Sequence, residues 1–407
     1  MTTSEQVLAE RLRQFPVDRY PVQHATTQFH LGSVLLQGGN PERAIQALTT
    51  AGRLFGSAGL ALEQAKATVG LGVALRAARR IAEAVVAFTT ACTQLETLDQ
   101  PVELAAASYD LGLVLQDASD LPGAHAAWAR ARETFLRAGY LSQAAAAGRD
   151  HGASLLRSGD VEAARPLLEQ ARSLAEQAGD EPGAGAAGNV LGLVHLAAGE
   201  PALAVSALRT ALSTLPRSIR PAEHAMVKAN LALAYEQDGN PTRARLAAGQ
   251  ALAIPSADVA VRGQARMLLA RLPGHAHDDL LAVLAVEDRD AWVAIIRDEV
   301  LRAAELSRGE LRRLLRGFLD GVLTRSDAPY ELVESLLHVV LELPPRTYDS
   351  IVEAVVDAAG GRPEDESTRL HAVIGSALAR FPIPQWQRLV ASLNAASNAA
   401  GRPATWS

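Results

Sequence analysis

Cysteine is almost missing from this chain: Cys92 stands alone among 407 residues. No internal disulfide can staple the fold, which excludes a small disulfide-built secreted scaffold. Aromatic residues make up only 4% against 48% hydrophobic overall, so the core must be filled by Ala, Leu and Val. That composition favours closely packed helices over sheets. Lysine is confined to Lys66 and Lys228 among 39 basic residues, and the net charge of −6 comes from interspersed signs. Such a chain lacks the broad positive field that a nucleic-acid binder needs. Nowhere do eighteen apolar residues run together; the densest stretches, Leu280–Val286 and Leu332–Leu343, are too short to cross a bilayer. No charged start followed by an apolar run marks a secretory signal, so a soluble cytoplasmic protein is expected. The length leaves room for two or three domains and a sizeable core.

What the chain has in abundance is a period of forty residues. From Leu31 the same place is filled by Leu71, Leu111, His151, Leu191 and Leu231, and the next place by Gly32, Gly72, Gly112, Gly152, Gly192 and Ala232. Thirteen residues past each anchor stand Ala44, Ala84, Ala124, Ala164, Ala204 and Ala244; seven further on, Ala51, Ala91, Ala131, Ala171, Ala211 and Ala251. Each unit reads as an amphipathic helix, a turn and a second amphipathic helix. Gly38-Gly39-Asn40-Pro41, Ser158-Gly159-Asp160, Ala198-Gly199-Glu200-Pro201 and Asp238-Gly239-Asn240-Pro241 are the turns, with Gly ending one helix and Asn or Asp capping the next. Gly32, without a side chain, is expected to let Ala44 of the partner helix approach closely, with Leu31, Leu35 and Leu48 filling the remaining gap.

The recurring Leu-Gly pair, the bulky residue three places on and the later Ala, large apolar, Ala set resemble the tetratricopeptide repeat signature, over residues 22–253 and six repeats. A unit longer than the usual one, of roughly 34 residues, is similar to the long-repeat members such as kinesin light chains. The resemblance implies an all-α, right-handed superhelical solenoid of six hairpins. Departures are local: Ala77-Ala78-Arg79-Arg80 replaces a Gly turn in repeat two, and His151 replaces an anchor Leu. Residues 1–21 read as a capping helix, with Val7, Leu8, Leu12 and Phe15 on one side, and 254–275 as a closing helix and linker.

Residues 276–407 remain helical without the period and read as a separate all-helical domain. Leu311, Leu314, Leu315, Phe318, Leu319 and Val322 recur at helical spacing, as do Tyr348, Ile351, Val352, Val355 and Val356, then Leu370, Val373, Ile374 and Leu378. Leu332–Leu343 is apolar nearly all round and is expected at the centre of this bundle. From Gly274 onward acidic residues outnumber basic ones by 20 to 14, so much of the net charge sits here.

Signatures of chemistry are sparse. Gly183-Ala184-Gly185-Ala186-Ala187-Gly188 matches a dinucleotide fingerprint as a string, but it opens a helix with no strand before it. No Gly-rich loop is followed by the Lys of a phosphate-binding loop. His151 and His195 sit at inward positions of adjacent repeats and could approach one another, yet a metal needs a third ligand. His275-Ala276-His277-Asp278-Asp279 reads as a linker, and Cys92 as a small buried hydrophobe without an activating base. Arg308, Arg312, Arg313 and Arg316, with Glu305, Glu310 and Asp320 nearby, read as a salt-bridged solvent face. No catalytic residue, cofactor or metal is expected, and the chain is read as non-enzymatic.

The resemblance places partner binding on the concave surface lined by the first helix of each repeat. The positions it implies are Phe29, His30, Ser33 and Gln37; Lys66 and Arg76; Tyr109, Asp110, Gln116 and Asp117; Arg149, Asp150 and Arg157; Asn189; and Asn230, Glu236 and Gln237. Asn189 and Asn230 suit a bound peptide backbone. The row of such Asn in long-repeat relatives is mostly missing, because its place holds His30, Gly70, Asp110, Asp150 and Val190. Asp110, Asp117 and Asp150 suggest instead a patch for a basic or polar segment. Three functions stay open: a protein- or peptide-binding adaptor, a pathway component holding a small molecule between the array and the bundle, and a peptide-sensing regulator acting through another protein. A closed pocket with shifted titratable groups would favour the second, and an open groove the first. Self-association through the last domain is also open.

Overall fold

The computed structural model describes residues 3–272, 279–325, 328–401 and 406, and these form helices with no strand among them. The chain divides into two compact units, Met1–Ala198 and Gly199–Ser407.

Unit 1 contains α1 (Thr3–Gln14), α2 (Pro21–Gln37), α3 (Pro41–Ser57), α4 (Ala61–Ala77), α5 (Ile81–Thr97), α6 (Pro101–Asp117), α7 (Leu121–Arg137), α8 (Leu141–Arg157), α9 (Val161–Gln177) and α10 (Glu181–Ala197). From α2 onward every helix is seventeen residues long and begins twenty after the last, which is half the sequence period. Each packs on its successor, and first helices also meet across the helix between them, α2 with α4, α4 with α6 and α8 with α10. This is an all-α solenoid of paired helices.

The turns keep one geometry whatever residue fills them. Gly39 and Gly159 lie at φ +70° and +84°, and Arg79, Asp99 and Ser119 take the same left-handed conformation at +62°, +51° and +65°. The missing glycine of repeat two therefore leaves the turn intact at the expense of local strain. Capping is divided by residue type. Asp120, Asp160 and Asp180 accept from the backbone N–H groups of Gly123, Ala163 and Gly183 at 3.1, 3.1 and 2.9 Å. Asn40, expected as a cap, instead donates its Nδ2 to the Gly38 carbonyl at 2.9 Å, tying down the end of the preceding helix.

The recurring glycine is covered by one of the expected gap-filling residues and not by the expected alanine. The space above Gly32 is filled by Leu48 rather than Ala44, and the same socket holds Phe88 over Gly72, Trp128 over Gly112 and Leu168 over Gly152. All four large side chains are fully buried. The helices approach because a bulky side chain sixteen residues on enters the gap, while Ala44, Ala84, Ala124 and Ala164 are simply enclosed. A methyl group at Gly112 would lie 2.5 Å from Trp128 Nε1. Gly112→Ala is therefore expected to destabilise unit 1 by about 1–3 kcal/mol through overpacking, although Ala is favoured over Gly in a helix by about 1 kcal/mol. Urea melts of the two proteins would check this; a more stable variant would refute the socket.

At the start of the chain α1 packs on α2. Its side differs from the expected one: Val7 is exposed, Leu8, Leu12 and Phe15 are half-buried, and Glu5 is buried near Arg43 at 3.7 Å.

Unit 2 contains α11 (Pro201–Thr214), α12 (Pro221–Gln237), α13 (Pro241–Leu252), α14 (Val259–Arg271), α15 (Asp279–Leu284), α16 (Arg289–Ala303), α17 (Arg308–Arg325), α18 (Pro329–Leu341), α19 (Pro345–Ala359), α20 (Glu364–Leu378) and α21 (Ile383–Ala399). Its first helices continue the twenty-residue spacing, α11 on α12 and α12 on α13, and α14 closes them by packing on both α12 and α13. A distinct helical block follows, in which each helix packs chiefly on the helix two further along: α16 on α18, α18 on α20, α17 on α19 and α19 on α21. Two layers result, and α18 touches α16, α17, α19, α20 and α21, as its apolar circumference requires. Pro329, Pro345 and Pro384 stand in the first turns of their helices, where a missing N–H costs nothing. Leu246 of α13 belongs to the same buried core as α16–α21, and Arg245 pairs with the buried Asp279. The last hairpin of the period is thus built into the block, and the boundary between units falls inside the repeats.

Candidate functional site

The expected binding positions of unit 1 form a ladder of polar contacts between successive first helices. Because those helices stack forty residues apart, residue i of one reaches residue i+41 of the next. Arg76 Nε donates to Asp117 Oδ2 at 2.6 Å, Tyr109 Oη to Asp150 Oδ2 at 2.6 Å, and Arg157 to Gln116. Arg149 Nε also reaches Asp150 Oδ1 at 2.9 Å, and Lys66 lies 3.7 Å from Glu103. Asp117 and Asp150, two of the three acidic groups of the expected patch, are therefore each paired with an arginine of the chain itself.

Asp110 differs from both. It lies half-buried in a cleft of about 420 Å³ lined by Val73, Arg76, Ala77, Arg79, Phe88, Asp110 and Asp117. Burial raises its pKa to about 6, against the pull of Arg76. Burial likewise pushes the Tyr109 phenol up, and the neighbouring Asp150 adds to it.

Other expected positions are turned away from such a face. Phe29 packs against core residues of the first hairpin, with His30 beside its ring at 5.8 Å, and the Ser33 hydroxyl donates to the Phe29 carbonyl at 3.3 Å. Gln37 and Gln237 are exposed at the ends of their helices, and Asn189 is buried. Asn230 is buried too and accepts from Gln264 Nε2 at 3.2 Å, while Arg271 binds Glu236 through Nε at 2.6 Å. Gln264 and Arg271 both belong to α14, so the closing helix occupies the face of α12 on which a peptide was expected.

His151 meets His125 of the preceding hairpin, ring centroids 4.9 Å apart, with Trp128 alongside. His125 Nε2 lies 3.0 Å from Ser154 Oγ. Burial, with His125 and Arg132 nearby, lowers the His151 pKa to about 4. Cys92 is buried 3.8 Å from Ser108 Oγ, and burial pushes its thiol up. His275, His277 and Asp278 lie outside the described residues, while Asp279 is taken by Arg245. Among the described residues no group of three His, Cys, Asp or Glu side chains is placed to hold a metal. Gly183 and its neighbours are helical, as expected. Arg308 pairs with Glu353, and Asp320 with Arg362 at 2.5 Å.

A cavity of about 810 Å³ lies within unit 2, where the last repeat helices meet the helical block; the sequence leaves open a small-molecule site between array and bundle but names none of its residues. Its walls come from α11, the loop after it, α12, α13 and α16, with Val283 of α15, Glu287 and Glu342. On α12, Lys228 Nζ binds Asp298 Oδ2 at 2.7 Å and donates to Gln250 Oε1 at 2.9 Å. His224, one turn earlier, donates Nδ1 to the Leu215 carbonyl at 2.8 Å and faces Asp298 with Nε2 at 3.7 Å. Burial raises Asp298, but Lys228 and His224 outweigh it and hold the carboxyl well below the usual carboxylate range. Arg209 and Arg243 both pair with Glu287, at 3.2 and 2.9 Å. One signal was present in the sequence: Lys228 is one of two lysines, four residues after His224 on an inward helix face.

Family models described as tetratricopeptide repeat match residues 142–217 in one case and residues 29–95 and 191–260 in another. The chain thus carries tetratricopeptide-like repeats. Among solved structures, the apo form of RapI is similar at 12% identity and a TM-score of 0.50, covering 79% of this chain and 98% of that one. BtubC (BKLC) from P. vanneervenii is 14% identical with a TM-score of 0.42, covering 68% and 94%. A Podosopora anserina putative kinesin light chain repeat protein is 15% identical with a TM-score of 0.32, covering 67% and 98%. At 12% identity the likeness to RapI is one of fold alone. No curated protein matches the chain.

Proposed function

We propose that this chain is a non-enzymatic scaffold or regulator that grips a protein segment along the first helices of unit 1, around Arg76, Tyr109, Asp110, Asp117, Arg149 and Asp150. Its forty-residue unit resembles that of the long-repeat tetratricopeptide proteins, which supports reading it as one of them, and the cytoplasm is its expected compartment. Among the described residues no helix is long and apolar enough to cross a membrane.

Asp110 carries the reading. A carboxyl that burial holds near pH 6 in a cleft beside Phe88 is a poor solution for folding alone and a good receptor for a cation that enters the cleft. The paired Arg76–Asp117 and Tyr109–Asp150–Arg149 groups on either side fix its surroundings in place. The partner segment is therefore basic, with an apolar residue able to reach Val73.

Selection of displayed random peptides on the intact chain tests this. Enriched peptides should carry Lys or Arg and should lose binding to the doubly substituted Asp110→Arg, Asp150→Arg chain. Peptides without basic residues, or equal binding to both chains, would overturn the proposal.

A further inference from the structure

The walls of the unit 2 cavity have more hydrogen-bond donors than acceptors. Arg217 Nη1, Arg243 Nε and Gln250 Nε2 are buried and have no hydrogen-bond partner among the described residues. Gln250 is only 3% exposed, so bulk water does not meet this need freely. Buried donors left in this state are destabilising, and their clustering on one cavity points to an acceptor-rich occupant.

Charge gives the sign of that occupant. Arg209, Arg217, Lys228, Arg243 and Arg297 line the cavity against Glu287, Asp298 and Glu342, a positive excess of two. Arg297 is matched by Glu342 at 2.7 Å, Lys228 by Asp298, and Arg209 and Arg243 share Glu287. Arg217 alone among these forms no ion pair within the described residues, donating only to the Ala253 carbonyl at 3.3 Å. Between the charges the wall is apolar, with Leu212, Leu231, Leu246, Val283 and Ile295. A cavity of about 810 Å³ has the size and mixed lining of a small-molecule site.

We infer that this cavity binds a small amphipathic organic anion, its acidic group received by Arg217 and its apolar body laid against Leu212, Leu231 and Ile295. The inference is independent of peptide binding in unit 1, since none of its residues lies there.

The test uses the full-length chain with 8-anilinonaphthalene-1-sulfonate, an apolar anion, and N-phenyl-1-naphthylamine, its neutral counterpart. One saturable sulfonate site per chain is expected, displaced by decanoate and not by decanol. Arg217→Gln should weaken sulfonate binding about tenfold, the loss of one charged hydrogen bond, and leave the neutral probe unchanged. Ala294→Trp, which fills the cavity from an exposed position on α16, should abolish binding of both while the circular dichroism melt stays in place. No saturable sulfonate binding, equal displacement by decanol, or full binding in both variants would overturn the inference.

Discussion

Asp110→Asn is expected to raise the stability of unit 1 at pH 7 by about 1–2 kcal/mol while weakening capture of a basic segment. The carboxyl is raised to about 6 in the folded chain, above an unfolded value of about 4. The native state therefore holds a proton that the unfolded state has released between those values, and stability falls as pH rises through that window. At pH 7 the full cost of the ionised, half-buried group is present, and the amide removes it. Near pH 4 both side chains are neutral and the two proteins should unfold together. Full conversion of the shift would give a larger figure, but the side chain is partly solvated, so the smaller one is expected. Urea melts at pH 4 and 7 measure both arms. Coincident curves at pH 7 would mean that the carboxyl is ordinarily hydrated and has no special readiness for a cation.

Lys228→Met should have the opposite sign and a larger effect, a loss of about 3–5 kcal/mol in unit 2, because it strands a buried carboxylate. Asp298 would keep only His224, at 3.7 Å, and Gln250 Oε1 would lose its donor. The pH profile follows from the depressed pKa of Asp298. Its contribution is fully present above the unfolded value of about 4 and is lost as pH falls toward the folded one. Acid unfolding of the natural chain should therefore begin below about pH 4, and that of the variant at higher pH. Replacing both members, Lys228→Met with Asp298→Leu, should recover much of the loss, since a well-packed apolar pair can substitute for a buried ion pair. A single variant as stable as the parent would show that the pair is solvated and the cavity wall looser than described.

The repeats were legible because small residues recur at fixed places, so helix starts could be counted from Leu31 onward without the structure. Leu48 could be named as filling the gap at Gly32, but its counterparts over the other glycines could not, because the residue that fills the socket changes size and type, from Leu48 to Phe88, Trp128 and Leu168. An offset of sixteen was there to be read: in repeat six Ala232 replaces the glycine and Ala248 the large side chain. Individual helices of the last block were legible from their apolar spacing, but their two-layer order was not, since no fixed interval links partners.

Binding positions fared similarly. The unit 1 residues could be named from the repeat register, yet pairing at i+41 depends on how far successive helices are offset, which no single helix encodes. Asn230 and Glu236 were misread because α14, a helix outside the period, takes them. A small-molecule site between array and bundle was left open, but the residues of the unit 2 cavity could not be named, because its walls are drawn from residues between Arg209 and Glu342 with no motif among them.

A photo-reactive residue at Val73 compared with one at Val86 tests the location of partner binding most directly. Val73 lines the cleft beside Asp110, whereas Val86 is exposed on α5, the second helix of the same hairpin. Irradiation in the presence of a selected basic peptide should give a covalent adduct from Val73 and little from Val86. Adducts from Val86 alone would place recognition on the other helix row and contradict the account.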